Sequence, residues 1–140
     1  MNIPELLLDL SIHFNAFIRG AASTLNLTAS QAFHLISIPC EGISMSHLSN
    51  RLGLDTSTLT RNIQKLEKLK MVKRERDAYD RRIQNIFLTR VGRVAVENID
   101  ARLNEINRSL VEGLDIDMQE GVLEVLEKLV WLIDCLREEK

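Results

Sequence analysis

A basic hairpin that directly follows a polar helix constrains this chain more than any other feature. Residues 55–70 place Leu59, Ile63 and Leu66 four and three positions apart, which predicts an amphipathic helix. Residues 71–89 then read as two short strands joined by a charged tip, and five of these nineteen residues are Lys or Arg. A helix followed by a basic hairpin is the layout of a winged helix-turn-helix. One element fits the major groove of DNA, and the other can reach the neighbouring minor groove.

The distribution of charge agrees with this interpretation better than the net charge of −2 does. Residues 41–95 hold twelve basic and six acidic side chains, a local charge of +6, whereas residues 96–140 hold five basic and twelve acidic ones, a local charge of −7. A polyanion would therefore meet only one face of the protein. No apolar run is long enough to span a membrane and no cleavable leader is evident, so we expect a cytoplasmic protein.

Apolar spacing and capping signals predict the remaining elements. We expect helices over residues 3–24, from Thr28 towards Pro39, from Ser44 to Leu52, from Asp55 to Lys70, from Thr89 to Glu112, and from a capping box at Asp117 and Glu120 to Arg137. Gly53 is expected to close a tight turn after the third helix. Strands are expected over residues 71–76 and 83–88.

The predicted fold class is mainly α (α+β): a winged helix-turn-helix with long N- and C-terminal dimerisation helices. It forms one domain over residues 1–140, with a DNA-binding lobe over 28–93 and dimerisation helices over 1–24 and 94–140. The last helix carries more apolar surface than one edge of a small core requires, which predicts an isologous homodimer; the alternative is a monomeric helical core.

The outward face of the fourth helix carries the candidate DNA contacts. Its hydroxyl groups can donate to phosphates or base edges, Arg61 can pair with guanine, Gln64 can pair with adenine, and Lys65 suits phosphate. The alternative is a solvated helix face. The candidates on this helix are Ser57, Thr58, Thr60, Arg61, Gln64 and Lys65.

Two further candidates, Arg81 and Arg82, lie side by side where the hairpin turns. They repel each other unless anions are near, and Asp77 and Asp80 supply part of that compensation. An arginine held in one orientation suits the narrow minor groove, where negative potential is focused. The alternative is an ordinary hairpin with a charged, solvated tip.

These motifs resemble the multiple-antibiotic-resistance regulator (MarR) family of winged-helix transcription factors. The matching stretches are LNLTASQ at 25–31, LSNRLGLDTSTLTRNIQKLEKLKMVKRERD at 48–77 and DRRIQNIFLTRVGR at 80–93. The family's wing signature stands here as Asp80, Arg82, Leu88, Thr89 and Gly92.

The resemblance implies a triangular homodimer whose first and last helices interlock and whose two lobes bind a pseudo-palindrome in duplex DNA. It implies that Arg82 enters the minor groove while Asp80 braces it. The chain departs from the family where the recognition helix usually ends in glycine, because Lys70 stands there. Either Lys70 adopts a positive φ, at a cost of about 1 kcal/mol, or the helix ends differently.

Many members of the family bind small aromatic or phenolic effectors between the dimer helices and the DNA lobe. Arg19 is the natural partner for a ligand carboxylate in such a pocket, and a simply exposed arginine is the alternative. The candidate pocket residues are Phe14, Phe17, Arg19, His34 and Ile38.

Metal, redox and enzyme chemistry are not indicated. The three histidines, His13, His34 and His47, lie on three different predicted helices without ligand spacing, and Cys40 and Cys135 are expected to be buried, inert thiols. No glycine-rich phosphate loop, nucleophile elbow or recognisable acid pair occurs. No cofactor is expected.

The sequence therefore predicts a dimeric, sequence-specific DNA-binding transcription regulator, expected to be a repressor relieved by a small-molecule effector. Two alternatives remain. One is a helical dimerisation module that binds a protein partner without reading DNA, and the other is a small catalytic or metal-dependent domain.

Overall fold

The computed structural model describes residues 1–139, which divide into two compact units, Met1–Arg102 and the segment from Leu103 onwards. The predicted mainly helical fold class with a small sheet is confirmed. The elements are α1 (Ile3–Ser23), α2 (Ala29–Ile36), β1 (Ile43–Ser44), α3 (Met45–Leu52), α4 (Thr56–Lys68), β2 (Val72–Arg76), β3 (Gln84–Leu88), α5 (Arg90–Glu112) and α6 (Ile116–Glu138).

Side-chain caps set the beginnings of most helices, as predicted. Thr28 and Gln31 form a reciprocal capping box at α2, and Ser44 accepts a hydrogen bond from the backbone N–H of His47 at α3. Sequence reasoning missed the capping box of Asn2 and Glu5 at α1. Such caps satisfy backbone N–H groups that have no partner inside the helix.

The predicted start of the last helix was wrong. α6 begins at Ile116 and its N-cap is Asp115, whose side chain makes no capping hydrogen bond in the described structure. The side-chain amide of Gln119 instead donates to the carbonyls of Val111 (2.9 Å) and Leu114 (3.0 Å), so the turn before α6 is held by a glutamine.

The sheet is antiparallel in the order β1-β3-β2. Val72 pairs with Leu88 and Arg76 with Gln84, so β2 and β3 form the predicted hairpin. The two-residue strand β1 was not predicted, because so short a segment has no periodicity of its own; Ile43 pairs with Ile86.

The core of the first unit gathers three large side chains from α4 and one each from α1, α2, α3, α5 and the sheet. A buried leucine or isoleucine contributes about 1.5–3 kcal/mol relative to an exposed one, so this cluster fixes α3 and α4 against the hairpin. The fully buried large side chains are Ile18, Leu35, Leu48, Leu59, Ile63, Leu66, Ile86 and Ile99.

The backbone conformation of Lys70 determines how α4 ends. Lys70 adopts a φ of 59°, so it takes the left-handed conformation that the family's glycine would take. The N–H of Lys70 donates to Glu67 O (2.9 Å) and the N–H of Met71 donates to Leu66 O (3.1 Å), which is a Schellman motif. The helix therefore ends as a glycine-terminated helix would, with lysine carrying the strain.

Thr89 and Gly92 hold this junction from the other side. The Thr89 hydroxyl donates to Lys70 O (2.6 Å) and accepts from the N–H of Gly92 (3.2 Å), while the Thr89 N–H donates to Met71 O (3.0 Å). A Cβ at Gly92 would overlap the carbonyl oxygen of Met71. Threonine and glycine in the wing signature thus join the end of α4 to the start of α5.

Two helices expose long apolar faces. α6 buries none of its described side chains, and Leu123 and Val130 on it are 62% and 69% exposed. Ile3 and Leu10 on α1 are also more than half exposed in the single subunit. No helix in the described range 1–139 is both long and apolar enough to cross a bilayer.

Candidate nucleic-acid interface

α3 and α4 form a helix-turn-helix around Gly53. Gly53 ends α3 in the left-handed region (φ 66°, ψ 31°), and the N–H of Leu54 donates to Ser49 O (2.9 Å). Leu48 and Leu59 are fully buried, which fixes the two helices against the core. The turn therefore has the conformation that sequence reasoning assigned to it.

The outward face of α4 is polar and basic. Arg61, Gln64 and Lys65 are exposed, as is Lys68, while the inward side chains of the helix are buried. Thr60 is half-buried, and its hydroxyl donates to Thr56 O (2.8 Å). Three of the predicted contacts are therefore exposed on one helix, and Nη2 of Arg61 donates to the Thr58 hydroxyl (3.4 Å).

The first turn of α4 is occupied by its own cap. Asp55 accepts the N–H of Thr58 (2.8 Å) and the hydroxyls of Ser57 (2.7 Å) and Thr58 (2.8 Å). The hydrogen bond from the Ser57 hydroxyl is the largest of the effects that hold the pKa of Asp55 far below its ordinary value. Phosphate oxygens only accept hydrogen bonds, so donation to DNA from Ser57 or Thr58 requires this cap to rearrange.

The wing tip presents a braced arginine. The Asp80 carboxylate accepts Nε (3.0 Å) and Nη2 (2.9 Å) of Arg82, and also the backbone N–H of Arg82 (3.1 Å). This pairing lowers the pKa of Asp80 and raises that of Arg82. The Arg82 side chain is nevertheless 91% exposed, so it is oriented without being buried.

Arg81 is exposed beside it, and its carbonyl accepts a hydrogen bond from Nη1 of Arg76 (2.9 Å). Arg76 was not among the predicted site residues, and its charge alone did not distinguish it from its neighbours. A cleft of about 400 Å³ between the wing and the helix-turn-helix is lined by Arg76 and Arg82 together with Ser46 and Thr60.

The predicted effector-pocket residues divide between two clefts and the core. Phe14 and Arg19 line a cleft of about 610 Å³, and Arg19 and His34 line a neighbouring cleft of about 500 Å³. Within the described residues, Phe17 lines neither cleft and is 53% exposed, and Ile38 is 4% exposed within the core. The structure thus brings together three of the five predicted residues.

His34 is buried rather than simply placed on a helix face. It is 3% exposed, its Nδ1 donates to Ser30 O (2.6 Å), and its Nε2 therefore accepts from the side-chain amide of Asn62 (3.1 Å). Asn62 belongs to α4, so this bond joins α2 to the outward-facing helix. The 28-residue separation gave no sequence signal for it.

The cysteine prediction was wrong for Cys40, which is exposed because it follows Pro39 in a surface turn; Cys135 is half-buried. Among residues 1–139, no group of three or more His, Cys, Asp and Glu side chains is arranged to hold a metal ion.

The helix-turn-helix, the three-stranded sheet and the projecting hairpin together define a winged-helix protein. Residues 24–83 match the family model described as "MarR family". A MarR protein from Peptoclostridium difficile superimposes on this chain with a TM-score of 0.85 at 28% identity, and the superposition covers 99% of this chain and 92% of that protein. The family match and the superposition confirm the resemblance to the MarR family that the sequence indicated.

Two curated relatives match part of this chain. The chain is 33% identical over 89 residues to the HTH-type transcriptional regulator TtmR of Methylorubrum extorquens, covering 64% of this chain and 45% of the relative. It is 26% identical over 87 residues to the HTH-type transcriptional regulator YdgJ of Bacillus subtilis, which covers 62% of this chain and 53% of YdgJ. The chain thus spans about half the length of these relatives.

The fold is also that of a Staphylococcus aureus protein, MepR, in its complex with DNA. That chain is 22% identical, with a TM-score of 0.76 over 93% of this chain and 97% of its own.

Proposed function

We propose that this protein is a homodimeric transcription regulator that binds a pseudo-palindromic site in duplex DNA. The observation that carries the proposal is the pairing of an exposed basic helix face with an exposed, braced arginine at the wing tip. Arg61 and Gln64 would read base edges in the major groove, and Arg82 would enter the minor groove. The crystallised MepR–DNA complex supports the proposal for a chain of this fold.

Dimerisation is supported by the apolar surfaces that a single subunit leaves exposed on α1 and on α6. Monomeric proteins rarely expose apolar patches of this extent, and an isologous pairing would remove them from water. A dimer would place two copies of α4 in successive major grooves about 34 Å apart. Binding to chromosomal DNA would place the protein in the cytoplasm.

A salt titration tests the DNA-binding proposal. A duplex selected from a random library by the purified protein is titrated between 50 and 200 mM salt, where about six to ten phosphate contacts would weaken binding by about 10³- to 10⁵-fold. Lys65→Ala should reduce the salt slope by about one unit. Arg108→Ala, which removes the same charge from exposed α5, is the matched control and should leave the slope unchanged.

Weak binding without sequence preference, and with little dependence on salt, would contradict DNA recognition. That outcome would favour a dimerisation module that binds a protein partner.

We also propose that the protein represses transcription and is released by a small aromatic effector bearing a carboxylate or phenol group. The clefts beside Arg19 support this, because a cation next to Phe14 or Phe33 suits such a ligand. The hydrogen bond from Asn62 to His34 provides a route from the cleft to α4. An effector can shift the equilibrium only by its difference in affinity for the bound and released states.

Benzoate and 2-hydroxybenzoate are suitable probes of the clefts. Calorimetry should show binding to the wild type and at least tenfold weaker binding to Arg19→Ala, with Arg51→Ala testing the other cation of the same cleft. Equal binding by wild type and Arg19→Ala would remove Arg19 from the site. Unchanged DNA affinity at saturating probe would contradict release by this class of effector.

A further inference from the structure

The carboxylate of Asp77, the residue directly after β2, accepts three hydrogen bonds within the wing. Its Oδ2 accepts the backbone N–H groups of Tyr79 (3.0 Å) and Asp80 (2.9 Å), and its Oδ1 accepts the side-chain amide of Asn85 (3.0 Å). The backbone N–H of Asp77 donates to Ile83 O (2.9 Å), across the base of the tip. One carboxylate thus joins both strands of the hairpin to the tip between them.

Polar contacts, including the hydrogen bond from Arg76 Nη1 to Arg81 O (2.9 Å), hold the tip. Tyr79 is fully exposed and the Arg82 side chain is 91% exposed, so apolar packing contributes little to the conformation of these residues. Segments with few buried contacts open at low cost unless hydrogen bonds hold them. The conformation of residues 78–82 therefore depends on polar contacts. The Asp77 carboxylate supplies two of them, to the N–H groups of Tyr79 and Asp80, and the Asp80 carbonyl accepts a further one from the N–H of Ile83 (3.0 Å).

A chain of contacts leads from Asn85 to the exposed arginine. Asn85 orients the Asp77 carboxylate, Asp77 holds the backbone at Asp80, and the Asp80 carboxylate holds the Arg82 guanidinium through two hydrogen bonds. Arg82 can keep its orientation only if the backbone that carries Asp80 is itself fixed. An arginine that is ordered before binding loses less conformational entropy on entering a groove.

We propose that Asp77 and Asn85 form a clasp that positions Arg82 for the minor groove, and that this clasp sets the preference for A·T-rich flanks. The inference rests on the proposed DNA-binding function. Asp77 is a positioning residue, because it acts through Asp80 and does not itself reach the groove. The same hydrogen bonds lower the pKa of Asp77, and the bond from the Asp80 N–H has the largest effect, although the nearby Asp80 charge raises this pKa. The Asp77 carboxylate therefore acts in the clasp in its ionised form.

The test compares two duplexes that share a selected central site and differ only in their outer flanks. One carries A·T tracts, whose narrow minor groove attracts arginine, and the other carries G·C pairs. The wild type should prefer the A·T duplex. Asp77→Ala should weaken binding to that duplex by about 5- to 20-fold, no more than Arg82→Ala does, and should leave binding to the G·C duplex within about twofold.

A reciprocal exchange distinguishes positioning from a general loss of structure. Asn85→Asp places two carboxylates 3.0 Å apart and should abolish the flank preference. The double variant Asp77→Asn with Asn85→Asp restores one donor facing one acceptor, so it should recover most of the preference. A double variant with no more preference for A·T flanks than Asn85→Asp alone would contradict the proposed clasp.

A double-mutant cycle measures the energetic coupling between Asp77 and Arg82. In an Arg82→Ala background, Asp77→Ala should have no further effect on affinity, because the group that it positions is gone. An equal loss in both backgrounds would overturn the proposal. NMR order parameters at Arg82 Nε in the free protein should fall in Asp77→Ala, whereas an unchanged value would also overturn it. If the wild type itself bound neither duplex, the proposed function would fail instead, and the order parameters would still test the clasp.

Discussion

Replacing Lys70 by glycine should stabilise the protein, because the backbone there already has the conformation that glycine prefers. Lys70 has a φ of 59° at the position after the last helical turn, and the hydrogen bonds of the Schellman motif keep it there. A left-handed conformation costs a residue with a Cβ about 1–2 kcal/mol. Glycine removes that cost. It also raises the conformational entropy of the unfolded chain, which offsets about 0.4–1 kcal/mol of the gain.

The expected net gain is therefore about 0.5–1 kcal/mol. For 140 residues, the entropy of unfolding is about 0.3 kcal/mol per kelvin, so Tm should rise by about 2–3 °C. The measurement is thermal unfolding followed by circular dichroism at a single protein concentration, since Tm of an oligomer depends on concentration.

Two control variants isolate the cause. Lys70→Ala removes the exposed charge but keeps the Cβ, so its stability should stay within about 0.5 kcal/mol of the wild type. Asn26→Gly relieves a similar φ of 56° at a residue type that tolerates the left-handed region, so its gain should be smaller. A Lys70→Gly protein no more stable than Lys70→Ala would refute the assignment of strain to this backbone.

Three further perturbations have definite expected outcomes. Gly92→Ala should lose about 1–3 kcal/mol of stability in denaturant unfolding, because its Cβ would overlap Met71 O, whereas Gly20→Ala, where the Cβ meets open space, should lose none. The hydrogen bonds to Asp55 lower its pKa in the folded protein, so the ionised carboxylate stabilises the fold above the ordinary pKa of Asp, and this stabilisation is lost as the pH falls towards the lowered pKa. Asp55→Asn should keep the cap and flatten the decline of Tm between pH 5 and 2. Leu123→Glu, on α6, should yield monomers in sedimentation measurements with little loss of helix, because Leu123 is 62% exposed in the single subunit, and a stable dimer would contradict pairing through α6.

Local chemistry made much of the fold predictable. The capping box of Thr28 and Gln31, the caps at Ser44 and Asp55 and the left-handed turn at Gly53 all involve groups within three or four residues of each other. The Asp80 to Arg82 pairing is equally local, since the partners are two positions apart in the sequence. Contacts of this range depend on residue types and spacing, and both can be read directly from a sequence.

Other features were decided by contacts between distant segments. The bond between Asn62 and His34 spans 28 residues and the one from Thr89 to Lys70 spans 19, and neither leaves a periodic or capping signal. The same reason explains the missed strand β1, which exists only because β3 lies beside it. Ile38 was predicted in a pocket but lies in the core, because apolar spacing does not say which neighbour covers a side chain.

Lys70 shows the boundary between the two kinds of information. Its sequence position left two outcomes open, a strained lysine or a different helix end. The tertiary structure chose the first, because the Thr89 hydroxyl and backbone tie Lys70 and Met71 to the start of α5. The residue types and their local spacing thus determined the helices, the turn and the wing arginine of this protein. Only long-range packing and hydrogen bonding decided where the backbone holds strain and which groups brace the wing, since those energies depend on segments that meet only after folding.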